Sequence, residues 1–461
     1  MRYEKIMSKQ KIKRGISRRS FLRSTAALGA GFVLAHPAPA AGAGPKTDDI
    51  AAAELNVALL GAGAQGRVLV DACLKIPGIR FKAVCDIWQE YNQKLLSRRL
   101  KAYRQEHNTY VDYKEMLANE KDLDVVIIAT PDFWHAEQTV ACLEAGLHVY
   151  CEKEMSNTLE GARKMVQAAK ETGKLLQIGH QRRSNPRYIH CFGKLIKEAQ
   201  ILGRITSVNG QWNRSAQPDQ GWPIKAVISM ETLNKYGFES MEQFRNWRWY
   251  KGMGGGPIVD LGSHQIDIYN WFLGVNPKSV IAGGGTDYYD KATHQWYDNV
   301  MAIYEYETAQ GLVRAFYQTI TTNSCQGYYE SFMGDQGTLV ISESAGRSDV
   351  YREPSAPEWD KWVKMGYVSE PAKREEEKPK SDAALDVRET LAPPAYKLPV
   401  IFNDPYHKPH LENFFDAVRG KAKLNCPAEV GYETAVTVLK VNEAVEAARK
   451  LNFEPEEFKS G

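Results

Sequence analysis

Metal-site cysteine spacings are missing from this sequence. None of its seven cysteines, at 73, 85, 142, 151, 191, 325 and 426, forms a CxxC pair or a Cys/His spacing that reads as zinc. No metal is therefore expected. Internal repeats are also absent, which excludes solenoids and propellers. The one apolar stretch near the N-terminus is interrupted by His36 and Pro37, too early for a permanent membrane span. What remains is ordinary for a soluble globular chain of 461 residues, with 43% hydrophobic and 25% charged side chains. That length predicts two or three domains.

The net charge of +3 rests on the N-terminus. Ser17-Arg18-Arg19-Ser20-Phe21-Leu22-Arg23 precedes an apolar, small-residue stretch with A-x-A sites at 38–40 and 41–43. Basic region, paired arginines, apolar stretch and small-residue site, in that order, predict a twin-arginine export signal over residues 1–43. Its removal takes nine of the 59 basic and one of the 56 acidic side chains, leaving 50 and 55, a charge of about −5. A mildly acidic chain lacks the basic footprint that nucleic acid requires. Cys85 and Cys151 fall in predicted strands, where a reduced thiol packs as a small apolar group.

From residue 54 short apolar strands alternate with helices: LNVALLGAGAQG, FKAVCD, DVVIIATP, HVYCEKE and LLQIG are the strand signals. Such alternation predicts a doubly wound parallel sheet over residues 54–180. After about residue 180 longer alternating stretches (GRITSVNGQWNRS, DNVMAIYEYE, GLVRAFYQTI) predict a large, mostly antiparallel open sheet over 181–450. A helix at about 258–273 interrupts it, and two more close the chain at about 407–419 and 429–450. Residues 351–400, rich in Pro, Glu and Lys, are expected to be a solvated surface excursion.

Gly61, Gly63 and Gly66 form G-x-G-x-x-G between an apolar strand and a helical pattern, and Asp86 ends the next strand 20 residues past Gly66. That context is the dinucleotide fingerprint: glycines, with Ala64 and Gln65 between them, let the pyrophosphate approach a helix N-terminus. A carboxylate at Asp86 accepts from both ribose hydroxyls and repels a 2′-phosphate, which favours NAD over NADP. The strand DVVIIATP ends at Thr130, and Pro131 and Asp132 are placed to line the dinucleotide. Trp134 and His135 either line it too or serve the following helix as core and cap.

GMGGGPIVDLGSHQIDIYNWFLG, residues 252–274, is the other dense stretch. Asp260 and His264 are one helical turn apart, with Asp267 further along the same side. A carboxylate there orients an imidazole and raises its pKa, which suits a general base; a buried, satisfied Asp–His pair has the same spacing. Trp249, within Trp247–Tyr250, suits either sugar stacking or the core.

Together, GAGAQG, Asp86, TPDFWH (130–135), CEKE (151–154), GHQRRSNPRY (179–188), the 254–274 stretch and NCPAEVGYETAVTVLKV (425–441) resemble the Gfo/Idh/MocA family of NAD(P)-dependent sugar oxidoreductases. The resemblance implies a Rossmann domain followed by an α/β domain whose sheet commonly forms an oligomer interface, here a dimer or tetramer. It implies that Glu152 binds the nicotinamide ribose, that Lys153 assists proton removal and that Asp260 and His264 form the acid/base pair. Arg182, Tyr188, Asp267 and Trp249 are the substrate-contact candidates. One position departs from the family pattern: Glu154 stands where a proline is usual, bringing a negative charge beside Lys153. The expected activity is NAD-dependent oxidation of a secondary hydroxyl on a sugar or glycoside, in its favoured form to a 3-keto product. Two other readings are a glycosidase that uses bound NAD in an oxidation–elimination–hydration–reduction cycle, and a non-catalytic NAD-binding carbohydrate sensor. Export implies that NAD is carried tightly bound, because free NAD is scarce outside the cytoplasm.

Overall fold

The computed structural model describes residues 54–371 and 393–461. The expected export signal and most of the Glu/Lys-rich stretch lie outside the described residues. Six parallel strands form the first sheet: β1 (Leu55–Leu60), β2 (Ile79–Cys85), β3 (Asn108–Tyr110), β4 (Val125–Ile128), β5 (His148–Cys151) and β6 (Leu176–Ile178). Their order is β3-β2-β1-β4-β5-β6, the doubly wound arrangement. The chain reverses its winding between β1 and β4, so the carboxyl ends of those strands flank a crevice where ligands bind in such sheets. Every residue of β4 is buried, as two covered faces demand.

The helices of this layer are α1 (Ala64–Cys73), α2 (Lys94–Ala102), α3 (Tyr113–Asn119), α4 (Asp132–Glu144) and α5 (Leu159–Thr172). Thr158 caps α5 by accepting from the Gly161 N–H, and Gly173, at φ 65°, ends it.

The second sheet has nine strands: β7 (Ile205–Asn213), β8 (Ser279–Gly285), β9 (Asn299–Thr308), β10 (Gly311–Ile320), β11 (Tyr328–Gly334), β12 (Gly337–Ile341), β13 (Asp349–Arg352), β14 (Ala395–Lys397) and β15 (Leu451–Asn452). Their order is β14-β13-β12-β11-β7-β10-β9-β8-β15, antiparallel apart from the β7–β10 pair. Three longer helices belong to this half of the chain: α6 (Gly256–Leu273), α7 (Lys408–Val418) and α8 (Ala428–Ala447). α6 lies between β7, β9 and β10 on one side and α8 on the other, which is why nearly all its residues are buried. The opposite face of the sheet alternates out: Val300, Ala302 and Tyr304 point inward, while Met301 and Ile303 remain 45% and 43% exposed.

Two segments knit the halves together. α7 packs on α1, adding Leu411, Phe414 and Phe415 to the core of Val57, Leu59 and Val70. The chain at Cys426 continues past the free edge of β6, its carbonyl accepting from the Ile178 N–H at 3.0 Å.

The solvated excursion expected over 351–400 is corrected at both ends. Trp359, Tyr367, Val368 and Tyr396 are buried, and β14 closes the edge of the second sheet. The apolar residues scattered there pack, and the charged run between them falls largely in 372–392, outside the described residues. Of the seven cysteines, all free, Cys325 alone is exposed; Cys85 and Cys151 are buried in strands. Among the described residues, no helix is long and apolar enough to cross a membrane, and no group of His, Cys, Asp and Glu is arranged to hold a metal.

Candidate active site

A cavity of ≈ 560 Å³ lies at the switch point, between the two sheets. Its first wall is the β1–α1 turn. Gly61 adopts φ 90°, and a Cβ there would lie 2.5 Å from the Ala129 carbonyl oxygen. At Gly66 a Cβ would fall 1.9 Å from the Gly61 carbonyl oxygen, so this glycine lets α1 close onto the turn. At Gly63 a Cβ would meet only Asn92 Nδ2 at 4.0 Å, in open space facing the cavity. No side chain caps α1, whose first-turn N–H groups suit an anion. The cradle fits a dinucleotide pyrophosphate.

Asp86, at the tip of β2, lines the same cavity. Its Oδ2 accepts from the Ala62 N–H at 2.7 Å and Asn92 Nδ2 at 3.1 Å, and its Oδ1 from the Trp88 N–H at 2.7 Å. Burial pushes this carboxyl up against the pull of those donors. The carboxylate is therefore fixed in place to meet a ribose. Ala64, Gln65, Thr130, Pro131, Asp132 and Trp134 also line the cavity. The Trp134 indole donates to the Tyr236 carbonyl at 3.2 Å. Burial pushes Asp132 up to about 7, countered by Arg248.

His135 is a correction. It is buried beneath the cavity, its ring nitrogens 2.8 Å from the Glu154 and Thr130 carbonyls. Burial lowers its pKa to about 4. The neutral ring carries one N–H, so it donates to one of these carbonyls and packs against the other.

The tip of β5 holds the charged triplet. Glu152 Oε1 accepts from Gln65 Nε2 at 3.1 Å, and the same amide lies 3.0 Å from His407 Nε2. Lys153 reaches across to α6, where its Nζ meets Asp260 Oδ1 at 3.1 Å and also donates to the Asp260 carbonyl. The Lys153–Glu154 peptide is cis. Glu154 is fully buried, with Oε1 accepting from the Met155 N–H at 2.8 Å. Burial pushes its carboxyl up to about 8. It is thus protonated at neutral pH and adds no charge beside Lys153, contrary to the expectation from sequence.

The Asp260–His264 reading is also corrected. The Asp260 carboxylate turns to Lys153 and to Arg248, whose Nε is 3.3 Å away, rather than along its own helix. Burial raises its pKa, but Lys153, Arg248 and Arg214 outweigh that and hold it well below the usual carboxylate range. His264 lines the cavity with its Nδ1 buried and without a hydrogen-bond partner. Burial and the cations around it depress its pKa well below the ordinary histidine value, instead of raising it. The imidazole is therefore neutral and free to accept a proton, but weak as a base until a negative charge develops beside it.

Three substrate candidates prove structural. Arg182 is buried beneath the cavity in an ion-pair cluster with Glu330 and Glu343, and Tyr188 donates to Glu330 at 2.8 Å. Asp267 is paired with Arg183 at 2.8 Å and accepts from Thr434 Oγ1 at 2.9 Å. Trp249 does border open space, but in a second cavity beside the first. Sequence reasoning missed Trp212 and Tyr328, stacked with centroids 4.5 Å apart, and Arg214, Arg248, Gln181, Glu343 and His407, which line the main cavity. Aromatic residues at strand ends read as sheet formers, and His407 reaches Gln65 from 342 residues away, so neither left a local signal.

Residues 55–180 match an oxidoreductase family with an NAD-binding Rossmann fold, and residues 194–453 match its C-terminal alpha/beta domain. Over 241 residues the chain is 28% identical to 1,5-anhydro-D-fructose reductase of Ensifer adhaerens, covering 52% of this chain and 62% of that one. Over 249 residues it is 28% identical to levoglucosan dehydrogenase of Pseudarthrobacter phenanthrenivorans, covering 50% and 57%. The matches thus span about three fifths of these curated relatives. The fold is shared with the WlbA dehydrogenase of Bordetella pertussis, solved with NADH and UDP-GlcNAcA, at a TM-score of 0.62, 18% identity and coverage of 87% of this chain and 99% of that one.

Proposed function

The chain belongs to the Gfo/Idh/MocA oxidoreductase family, and on that premise we propose that it is an NAD-dependent dehydrogenase of a secondary hydroxyl on a sugar or glycoside. The observation that carries this reading is the meeting of Lys153, held on Asp260, with a neutral His264 at one end of a glycine-walled cavity. When bound, NAD supplies the hydride acceptor. His264 takes the hydroxyl proton. Lys153, fixed by Asp260, offers an N–H to the same oxygen and offsets the charge that develops as the proton leaves. Glu152, steadied by Gln65, receives the nicotinamide ribose, and Asp86 receives the other ribose and selects NAD. The two relatives named above, by their names a sugar reductase and a sugar dehydrogenase, support a sugar as substrate. A 3-keto product is the finer form of the reading.

Residues 1–43 act as a twin-arginine signal in this proposal, and the mature protein works outside the cytoplasm with NAD carried tightly bound. A second copy of the chain covers the exposed face of the nine-stranded sheet.

The test is purified full-length protein with NAD and a panel of sugars and methyl and nitrophenyl glycosides. NADH absorbance is expected to rise with at least one sugar, and Lys153→Ala to lower kcat by about 10²–10⁴-fold. Release of aglycone without net NADH would replace the dehydrogenase with an NAD-dependent glycosidase. Sugar binding with neither product would leave a sensor. NADP as the co-purifying nucleotide would overturn the role given to Asp86.

A further inference from the structure

A second cavity, of ≈ 660 Å³, adjoins the first. The two share seven lining residues, Trp212, Arg214, Arg248, Asp260 and Tyr328 among them, so together they form one cleft that continues past Asp260. The first cavity is taken up along its length by the dinucleotide cradle, from Gly61 to Lys153. The second has no phosphate-binding turn and none of the dinucleotide residues, and it begins where the reacting hydroxyl would sit.

Its far wall is built rather than incidental. Trp249 and Tyr289 line it and pack on the buried His294 behind them, with Trp249 4.3 Å from His294 and Tyr289 stacked on it at 4.4 Å and 8°. Asp298 fixes the loop that carries Tyr289, accepting from the N–H groups of residues 287, 288 and 289 at 2.9, 2.7 and 3.1 Å. The Trp249 carbonyl is held by the Gln295 and Trp296 N–H groups. The strap over the cavity is tied down twice: the Gln217 N–H donates to the Tyr289 hydroxyl at 3.0 Å, and the Gln220 N–H to Asn246 Oδ1 at 2.8 Å. The near wall is the stacked Trp212–Tyr328 pair. Two groups of aromatic side chains lining a space edged by amides and hydroxyls suit a sugar ring, with its apolar C–H face and polar rim. The charges that line it cancel: Arg214 and Arg248 stand against Asp219 and Asp260, with Arg248 engaged by Asp260. A phosphate or nucleotide would find no basic cluster here; a neutral ring fits.

We propose that the second cavity is a subsite for the neighbouring sugar of a neutral glycoside, so that the substrate is a disaccharide or larger glycan fragment, oxidised at its terminal ring. This rests on the dehydrogenase reading above for the word oxidised, but not for the word subsite.

The experiment measures both turnover and binding on the NAD-loaded full chain. For glucose, galactose and mannose, each methyl glycoside is compared with disaccharides bearing that sugar at the non-reducing end, by NADH formation and by calorimetry. For the preferred sugar, the disaccharide is expected to exceed the methyl glycoside by about tenfold in kcat/KM and in affinity, the worth of one or two aromatic contacts. Trp249→Ala is expected to reduce that ratio to about 2, as is Ser324→Trp, which fills the cavity from an exposed loop. Equal values for both ligands, or a ratio unmoved by both variants, overturns the subsite. Disaccharide binding that depends on Trp249 without NADH formation supports the subsite and overturns the dehydrogenase. Absence of both binding and turnover with every sugar overturns the two together.

Discussion

Glu154 keeps its proton in the folded chain up to about pH 8, whereas the same carboxyl ordinarily ionises at 4.5. Between those values the unfolded chain releases a proton that the folded chain retains. Stability is therefore full below about 4.5 and is lost as pH rises towards 8. Glu154→Gln keeps the acceptor for the Met155 N–H and removes the ionisation. It is expected to melt with the wild type at pH 5 and above it at pH 8, in thermal scans at the two pH values. Asp260→Asn carries the complementary prediction: Lys153 keeps the Asp260 backbone carbonyl but loses its ionic partner, and kcat is expected to fall about 10- to 100-fold with NAD affinity little changed, measured by steady-state rates and nucleotide titration. Lys153, Asp260 and His264 were picked out from the sequence as candidates, but their partners were not. Helical spacing paired Asp260 with His264, yet the carboxylate turned to a lysine 107 positions away, which no local pattern announces.

Among the elements, the β1–α1 turn separates folding from binding. Gly66→Ala would force a Cβ to 1.9 Å from a backbone oxygen, and is expected to destabilise by about 2–4 kcal/mol. Gly63→Ala puts its methyl into the cavity and should leave the melting temperature nearly unchanged while weakening NAD binding about tenfold; melting curves and nucleotide titration together distinguish the two. The parallel sheet was readable because strands covered on both faces are continuous apolar runs, as Val125–Ile128 is. β3 was not: Asn108–Tyr110 is three residues long, with two of them exposed. The buried Arg182 cluster shows the same limit on polar residues. Its charges resemble ligand-binding groups in the sequence, yet they are consumed by Glu330 and Glu343. Arg182→Ala strands those two carboxylates and is expected to cost about 3–5 kcal/mol in denaturant unfolding.

Across the whole molecule, the sheet faces divide the labour: one buries α6 and the candidate site, the other leaves Ile281, Met301 and Ile303 in water. If a second copy covers them, Ile281→Lys with Ile303→Lys should convert the oligomer to a monomer in light scattering while retaining the fold; a monomeric wild type would overturn that part of the proposal. A last consequence concerns time. The core of the first domain needs Leu411, Phe414 and Phe415, and the edge of its sheet needs the chain at Cys426. The β6 strand at 176–178 leaves the ribosome some 230 residues earlier, on the order of 10 to 50 seconds at ordinary rates of synthesis. For that interval the nucleotide-binding half has an uncovered apolar flank. Its completion waits until α7 and the chain at Cys426 have been made, so a chain truncated before α7 loses part of the first domain as well as α8 of the second.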